Sequence, residues 1–203
     1  LHPRVRRQRQ MCIRDSQKTW REDIERMKEQ LISRGPDAEG SWCNDSQDVT
    51  LGHRRLSILD LSPGGGQPMV SHSGRFVISY NGEIYNCREV EKKLRREGLL
   101  GALHGSSDTE ILLEALEAYG VKEGICLCKG MFAIALYDRK EEQLWLLRDR
   151  VGEKPLYYGL VNGSFVFASE LTAIAALPDF CGKINKDAVS YTHLRAHETR
   201  SNL

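Results

Sequence analysis

Met131-Phe132-Ala133-Ile134-Ala135-Leu136-Tyr137 reads as a β-strand, and from Phe132 to Leu136 it is apolar on both faces. A strand with one face in water alternates apolar with polar residues, so an unbroken run indicates a sheet covered on each side. Outward from it, Phe76 to Tyr80, Leu144 to Leu147, Leu156 to Val161 and Ser164 to Ala168 carry further strand patterns. Asn162-Gly163, between the last two, is a hairpin signal, because both central positions of a type I′ turn need positive φ. Strands joined by such short turns are antiparallel, whereas parallel neighbours need a long crossover.

Three helices flank these strands. Trp20, Ile24, Met27 and Leu31 recur at helical spacing, which predicts an amphipathic helix with Arg21, Glu22, Glu25, Arg26 and Lys28 outside. Arg34-Gly35-Pro36-Asp37 stops it, since proline disfavours helix in the preceding residue. A second helix is expected over Arg88 to Glu97, with Val90 and Leu94 inward and Gly98 ending it. Ser107 and Glu110 have capping-box spacing for a third, whose buried face is Ile111, Leu112, Ala115, Leu116 and Tyr119 and which Gly120 closes. Strands and helices together predict an α+β layered domain. Pro63-Gly64-Gly65-Gly66 lacks the lysine and Ser/Thr of a phosphate loop and reads as a turn.

At 203 residues the chain suits one domain, long enough to bury roughly two thirds of its unfolded surface without disulfides or metal. The cysteines Cys12, Cys43, Cys87, Cys126, Cys128 and Cys181 lack the spacing of zinc or thioredoxin-like pairs and read as reduced thiols of a cytoplasmic protein. No apolar run approaches a membrane span, and a net charge of +1 gives no general pull toward nucleic acid.

Charge is uneven, however. Residues 1–16 hold Arg4, Arg6, Arg7, Arg9 and Arg14 against Asp15 alone, a surplus of +4. A nucleic-acid-binding arm or a transit peptide would fit that bias, but the codons point elsewhere. Met11 to Asp15, with two bases of Ser16, can be written ATGTGTATAAGAGACAG; its reverse complement, CTGTCTCTTATACACAT, spells Val189-Ser190-Tyr191-Thr192-His193 after Ala188. Both ends resemble a translated transposase-type sequencing adapter. Residues 1–16 and 189–203 are therefore expected to be non-native, leaving 17–188 as the domain. Taking the +4 and the +1 of residues 189–203 from the net +1 leaves that domain at −4.

Several residues could hold a free amino acid. Arg55 offers a fork of donors for a carboxylate, Glu83 and Asp108 offer acceptors for an ammonium, and Asn81-Gly82 lies where a strand is expected to break, with donors for an oxyanion. Each alone has a bland reading: a surface arginine, a helix-start charge, an Asn-Gly turn. No spacing rule brings them together.

What joins them is a family resemblance. Leu51 to Asp60, Gln67-Pro68-Met69, Asn81 to Asn86, Ser107 to Glu110, Gly130 to Ala133, Arg148 to Tyr158 and Phe167 to Glu170 resemble, in order, the motifs of the class II glutamine amidotransferase domain of asparagine synthetases. Arg34 to Asp37 matches too, with Ser33 where a histidine is usual, and Arg55-Leu-Ser-Ile resembles the asparagine synthetase branch. The resemblance implies an N-terminal-nucleophile fold, a four-layer αββα sandwich of antiparallel sheets, here with its first strand missing. It implies that Arg55 holds the glutamine carboxylate, that Glu83 and Asp108 hold the ammonium, and that Asn81 and Gly82 form the oxyanion hole. It also implies a cysteine nucleophile in a Met-Cys-Gly start. Met11-Cys12 imitates that start, but no glycine follows, and Cys12 is read as a decoy within the adapter-like segment. The chain itself is then expected to be inactive, with L-glutamine as ligand and no cofactor of its own. ATP and Mg would act in a C-terminal synthetase domain of the parent chain, and a homodimer stays open. Rival readings are a relative amidating another acceptor, a non-catalytic glutamine-binding module, cleavage that exposes Cys12, and a nucleic-acid binder using the arginine-rich start.

Overall fold

The twice-covered strand lies at the centre of the molecule. The computed structural model describes residues 19–46, 48–55, 65–101, 103, 105 and 107–182; Cys12 and both adapter-like segments lie outside them. In it β5 (Gly130–Asp138) pairs antiparallel with β4 (Phe76–Ile84) on one side and β6 (Gln143–Arg148) on the other. β3 (Met69–Val70) extends the sheet beyond β4 for two residue pairs only.

Period two then sorts the faces. Phe76, Ile78, Tyr80, Ile84, Phe132, Ile134 and Leu136 share a core with Leu112, Leu113 and Leu116 of α3 (Asp108–Leu127). Val77, Ala135 and Tyr137 turn to the opposite face and meet Val49, Leu51 and Trp42. That second face is covered by two hairpins, β1 (Ala38–Cys43) with β2 (Thr50–Arg55), and β7 (Tyr157–Val161) with β8 (Ser164–Ala168). Among the described residues no ladder joins the two hairpins. α2 (Cys87–Arg96) and α3 form the outer layer on one side, while α1 (Thr19–Glu29) on β2 and α4 (Leu171–Ala175) on β8 form the other. The order is helix, sheet, sheet, helix, as the resemblance implied.

Three expectations need correction, and three elements go unforeseen. The Asn81-Gly82-Glu83 segment is no break: β4 runs through it, with Asn81 opposite Ala133, Gly82 opposite Phe132 and Glu83 opposite Met131. Glycine serves close approach here, since a Cβ on Gly82 would stand 2.7 Å from the Phe132 Cα and overlap the Met131 carbonyl. Gly120 has the positive φ of a helix stop, but helix resumes to Leu127. Gly124 permits that second piece to fold back, because a Cβ there would stand 2.7 Å from the Ala115 carbonyl oxygen. Lys28, expected outside, is 5 % exposed. Gly52 lets α1 lie close on β2, and the Lys28 stem is buried with its ammonium 2.8 Å from Glu25 and 3.6 Å from Glu39. Finally, β1, β2 and α4 had no counterpart in the sequence reading.

Other expectations hold. Ile24 packs against β2 at Gly52, and Met27 and Leu31 pack against Ala168, Ala173 and Ile174, while the Trp20 side chain lies outside the described ones. Val90 and Leu94 are buried, and Gly98 takes a φ of 67° just past α2. Ser107 caps α3 by accepting from the Glu110 N–H at 3.4 Å. Cys43, Cys87, Cys126, Cys128 and Cys181 are free thiols.

Candidate functional site

The free end of β4 decides what this region can bind. Phe132 of β5 commits both backbone groups to the β6 side: its N–H donates to Asp149 Oδ2 at 3.2 Å, and its carbonyl accepts from the Asp149 N–H at 2.8 Å. Gly82, opposite Phe132, is therefore in a non-hydrogen-bonded pair, and its N–H points away from β5. The same holds at Phe76, Tyr80 and Ile84, where the outward N–H groups are all taken. Phe76 donates to Ser71 Oγ at 3.0 Å, Tyr80 to Gln67 Oε1 at 2.6 Å, and Ile84 to Asp108 Oδ2 at 2.8 Å. The Gly82 N–H is aimed at the same edge, between the last two.

The side chains of this strand end follow. Ser79, Asn81 and Glu83 belong to the period-two set of Val77, which faces the hairpin layer, and Asn81 and Glu83 are exposed. Asp108 enters from the first turn of α3, where the Ser107 cap fixes the helix start, and its Oδ2 also accepts from the Tyr80 hydroxyl at 2.7 Å. Arg55 arrives from β2. It shares a strand face with Leu51, which packs on Val77, and with His53, whose Nδ1 is 3.2 Å from Ser79 Oγ. The Arg55 guanidinium lies against Gly65, where a Cβ would sit 2.9 Å from Cζ.

Arg55, Asn81, Gly82, Glu83 and Asp108 thus line one cavity of about 1410 Å³ between the sheet layers. All five sequence candidates meet there. The space exceeds the ~300–1,000 Å³ usual for a small-molecule pocket; its far part runs between α1, α4 and the β7–β8 hairpin, past Met27, Phe165, Phe167 and Ala173. The five candidates lie at the other end, around the Asn81-Gly82 stretch of β4. An acceptor carboxylate, a guanidinium, an amide side chain and an outward backbone N–H around one recess suit a zwitterion with a side-chain carbonyl.

Sequence reading missed the parts that hold these groups in place. Gly65 reads in the sequence as turn punctuation, yet it is what the Arg55 guanidinium lies against. Gln67 and Tyr80 carry no assigned role in the sequence, yet Gln67 Oε1 accepts from the Tyr80 N–H on the strand edge and the Tyr80 hydroxyl donates to Asp108. His53 is held neutral, its pKa pushed down to about 4 first by burial and then by the Arg55 charge. Cys128, buried on the core side of β4, is pushed up to about 12 by burial and then by the Asp108 charge, so it is a neutral thiol at physiological pH. Among the described residues no group of three or more His, Cys, Asp or Glu is placed to hold a metal ion, and no helix is long and apolar enough to cross a membrane.

Comparison with known proteins adds the following. A family model described as a glutamine amidotransferase domain matches residues 11–202. Asparagine synthetase [glutamine-hydrolyzing] 3 of Bacillus subtilis is 36% identical over 172 residues, covering 84% of this chain and 27% of the relative. A putative asparagine synthetase of Methanocaldococcus jannaschii is 36% identical and covers 87% of this chain and 37% of its own length; an amidase, chry2, of Gibberella zeae is 36% identical over 82% of the chain and 25% of its own. The chain spans roughly a quarter to a third of these relatives. Among solved structures, a glutamine phosphoribosylpyrophosphate amidotransferase of B. subtilis superposes with a TM-score of 0.62 at 20% identity, over 75% of this chain and 40% of that one, a likeness of fold.

Proposed function

We propose, because this chain belongs to the glutamine amidotransferase domain family, that the end of its cavity beside Asn81 and Gly82 binds free L-glutamine for hydrolysis to glutamate and ammonia. The observation that carries this reading is the convergence of Arg55, Asn81, Gly82, Glu83 and Asp108 on one recess. Arg55 would take the α-carboxylate in a two-pronged pair, and Asp108 with Glu83 would take the α-ammonium. The side-chain amide would then lie toward Asn81 and the outward N–H of Gly82, which would hold the oxyanion that forms when a nucleophile attacks. The relatives named asparagine synthetases support aspartate as the acceptor of the ammonia, amidated with ATP and Mg in a synthetase domain of the parent protein. The relative named an amidase keeps a different acceptor in play.

In this reading the chain binds glutamine without turning it over, because Cys12 is read as part of the adapter-like segment. One observation favours a second reading: the family match begins at residue 11, so Met11-Cys12 falls at its start. Removal of residues 1–11 would then expose Cys12 as the nucleophile, with its own α-amino group as base.

Titration calorimetry with L-glutamine, paired with an ammonia-release assay, tests both. Saturable binding that weakens about tenfold or more in Arg55→Ala is expected, the loss of a charge-assisted pair. No binding in the wild-type chain would end the glutamine reading. Ammonia release that disappears in Cys12→Ala would replace the first reading with the second.

A further inference from the structure

We propose that Tyr80 is a positioning residue for ammonium recognition, acting through Asp108. The inference rests on the glutamine reading above and names a residue that reading does not use. Tyr80 is 4 % exposed, and its hydroxyl, buried behind the strand, donates to Asp108 Oδ2 at 2.7 Å. The Ile84 N–H donates to the same oxygen at 2.8 Å. Two donors on Oδ2, one from a side chain and one from backbone, fix the carboxylate against rotation, and among the described residues nothing takes Oδ1, which leaves it for a ligand cation. The Tyr80 N–H is itself anchored on Gln67 Oε1 at 2.6 Å, so the donor belongs to a held strand.

The phenol is suited to this task. Burial first, then the Asp108 charge and the hydrogen bond to it, push the Tyr80 pKa far above its ordinary value, so the group stays a donor. A phenylalanine at this position would fill the core with Leu112 and Leu116 equally well. What it would lose is the orientation of the acid, and a single off-axis carboxylate weakens a charge-assisted hydrogen bond steeply with angle.

The test compares two ligands that differ only in the group Asp108 is to hold: L-glutamine and glutaramate, which is glutamine without its α-ammonium. Calorimetric titration of the full chain is expected to show a preference for L-glutamine. Tyr80→Phe, and as a second variant Tyr80→Met, should weaken L-glutamine about tenfold while leaving glutaramate within about twofold. In an Asp108→Ala background the preference should shrink to the part Glu83 supplies, and Tyr80→Phe should change the ratio no further. If Tyr80→Phe weakens both ligands equally, Tyr80 only packs and the inference fails while the glutamine reading stands. An unchanged preference overturns it in the same way, as does loss of folding in both variants. A wild-type chain that takes neither ligand overturns the glutamine reading first and this inference with it.

Discussion

The two ends of β4 are built by opposite rules. At the Phe76 end the strand is closed: β3 pairs with it, the Ser71 N–H donates to the Phe76 carbonyl at 2.8 Å, and Ser71 Oγ takes the returning N–H. Opposite Phe76, Asp138 is 2 % exposed and fully engaged, holding the Arg75 guanidinium at 2.7 Å and 3.0 Å and the N–H groups of Lys140 and Glu141 at 3.0 Å and 3.2 Å. At the Gly82 end no strand covers the edge among the described residues. Side chains from elsewhere, Gln67 and Asp108, take alternate N–H groups, and Asn81 and Glu83 face the cavity. Each end carries an acid, buried at Asp138 and partly buried at Asp108; protein satisfies both oxygens of Asp138, whereas among the described residues the hydrogen bonds to Asp108 fall on Oδ2. A carboxylate satisfied on every side is structural; one satisfied on half its oxygens can serve a ligand.

The largest expected effect tests the closed end. Asp138→Ala removes a charge that Arg75, about a third exposed, can partly replace with water, so urea unfolding should show a loss of about 3 kcal/mol, at the low side of a broken buried pair. Glutamine affinity of the folded fraction should stay unchanged. A drop in affinity would mean that the ends are coupled and the contrast is false.

Gly82→Ala sharpens the comparison from the other end. Its Cβ meets backbone of β5, which gives less readily than a side chain, so a cost of about 2 kcal/mol is expected together with loss of glutamine binding. Retained binding would show that the site does not depend on this N–H lying in register with Phe132.

A smaller effect belongs to the strand's middle, where His53 meets Ser79. The folded pKa of about 4 lies below the ordinary 6.5, so the unfolded chain binds the proton more tightly. Stability from this group is therefore full above pH 6.5, falls as pH drops from 6.5 toward 4, and levels off below. The full difference would amount to about 3 kcal/mol, but His53 is only partly buried and water screens it, so on the order of 2 kcal/mol should be lost across that window, and His53→Gln should flatten it. A slope that survives the substitution must come from other groups.

The legible and illegible parts of the molecule divide along the same line. β5 was readable because both its faces are covered, which leaves an uninterrupted apolar run. β2 was not, because its inward side reads Leu51, His53, Arg55: the face that elsewhere carries apolar residues here turns toward a polar recess, so the period-two signal vanishes where the site begins. Asn81-Gly82 misled for a related reason, since glycine needed for a close strand approach is spelled the same way as glycine needed for a turn.

By itself, then, the sequence determined the covered strand, the capped helices and, through its ordered motifs, the residue types able to grip an amino acid. Local periodicity and capping depend on neighbours in the chain, and those are written in order. Only the tertiary structure decided that Arg55 from a hairpin, Asn81 and Gly82 from a strand and Asp108 from a helix start face one cavity, and that Tyr80 stands behind the acid. Such convergence depends on the register between β4 and β5 and on the stacking of two sheets, contacts between residues far apart in sequence that no local pattern encodes.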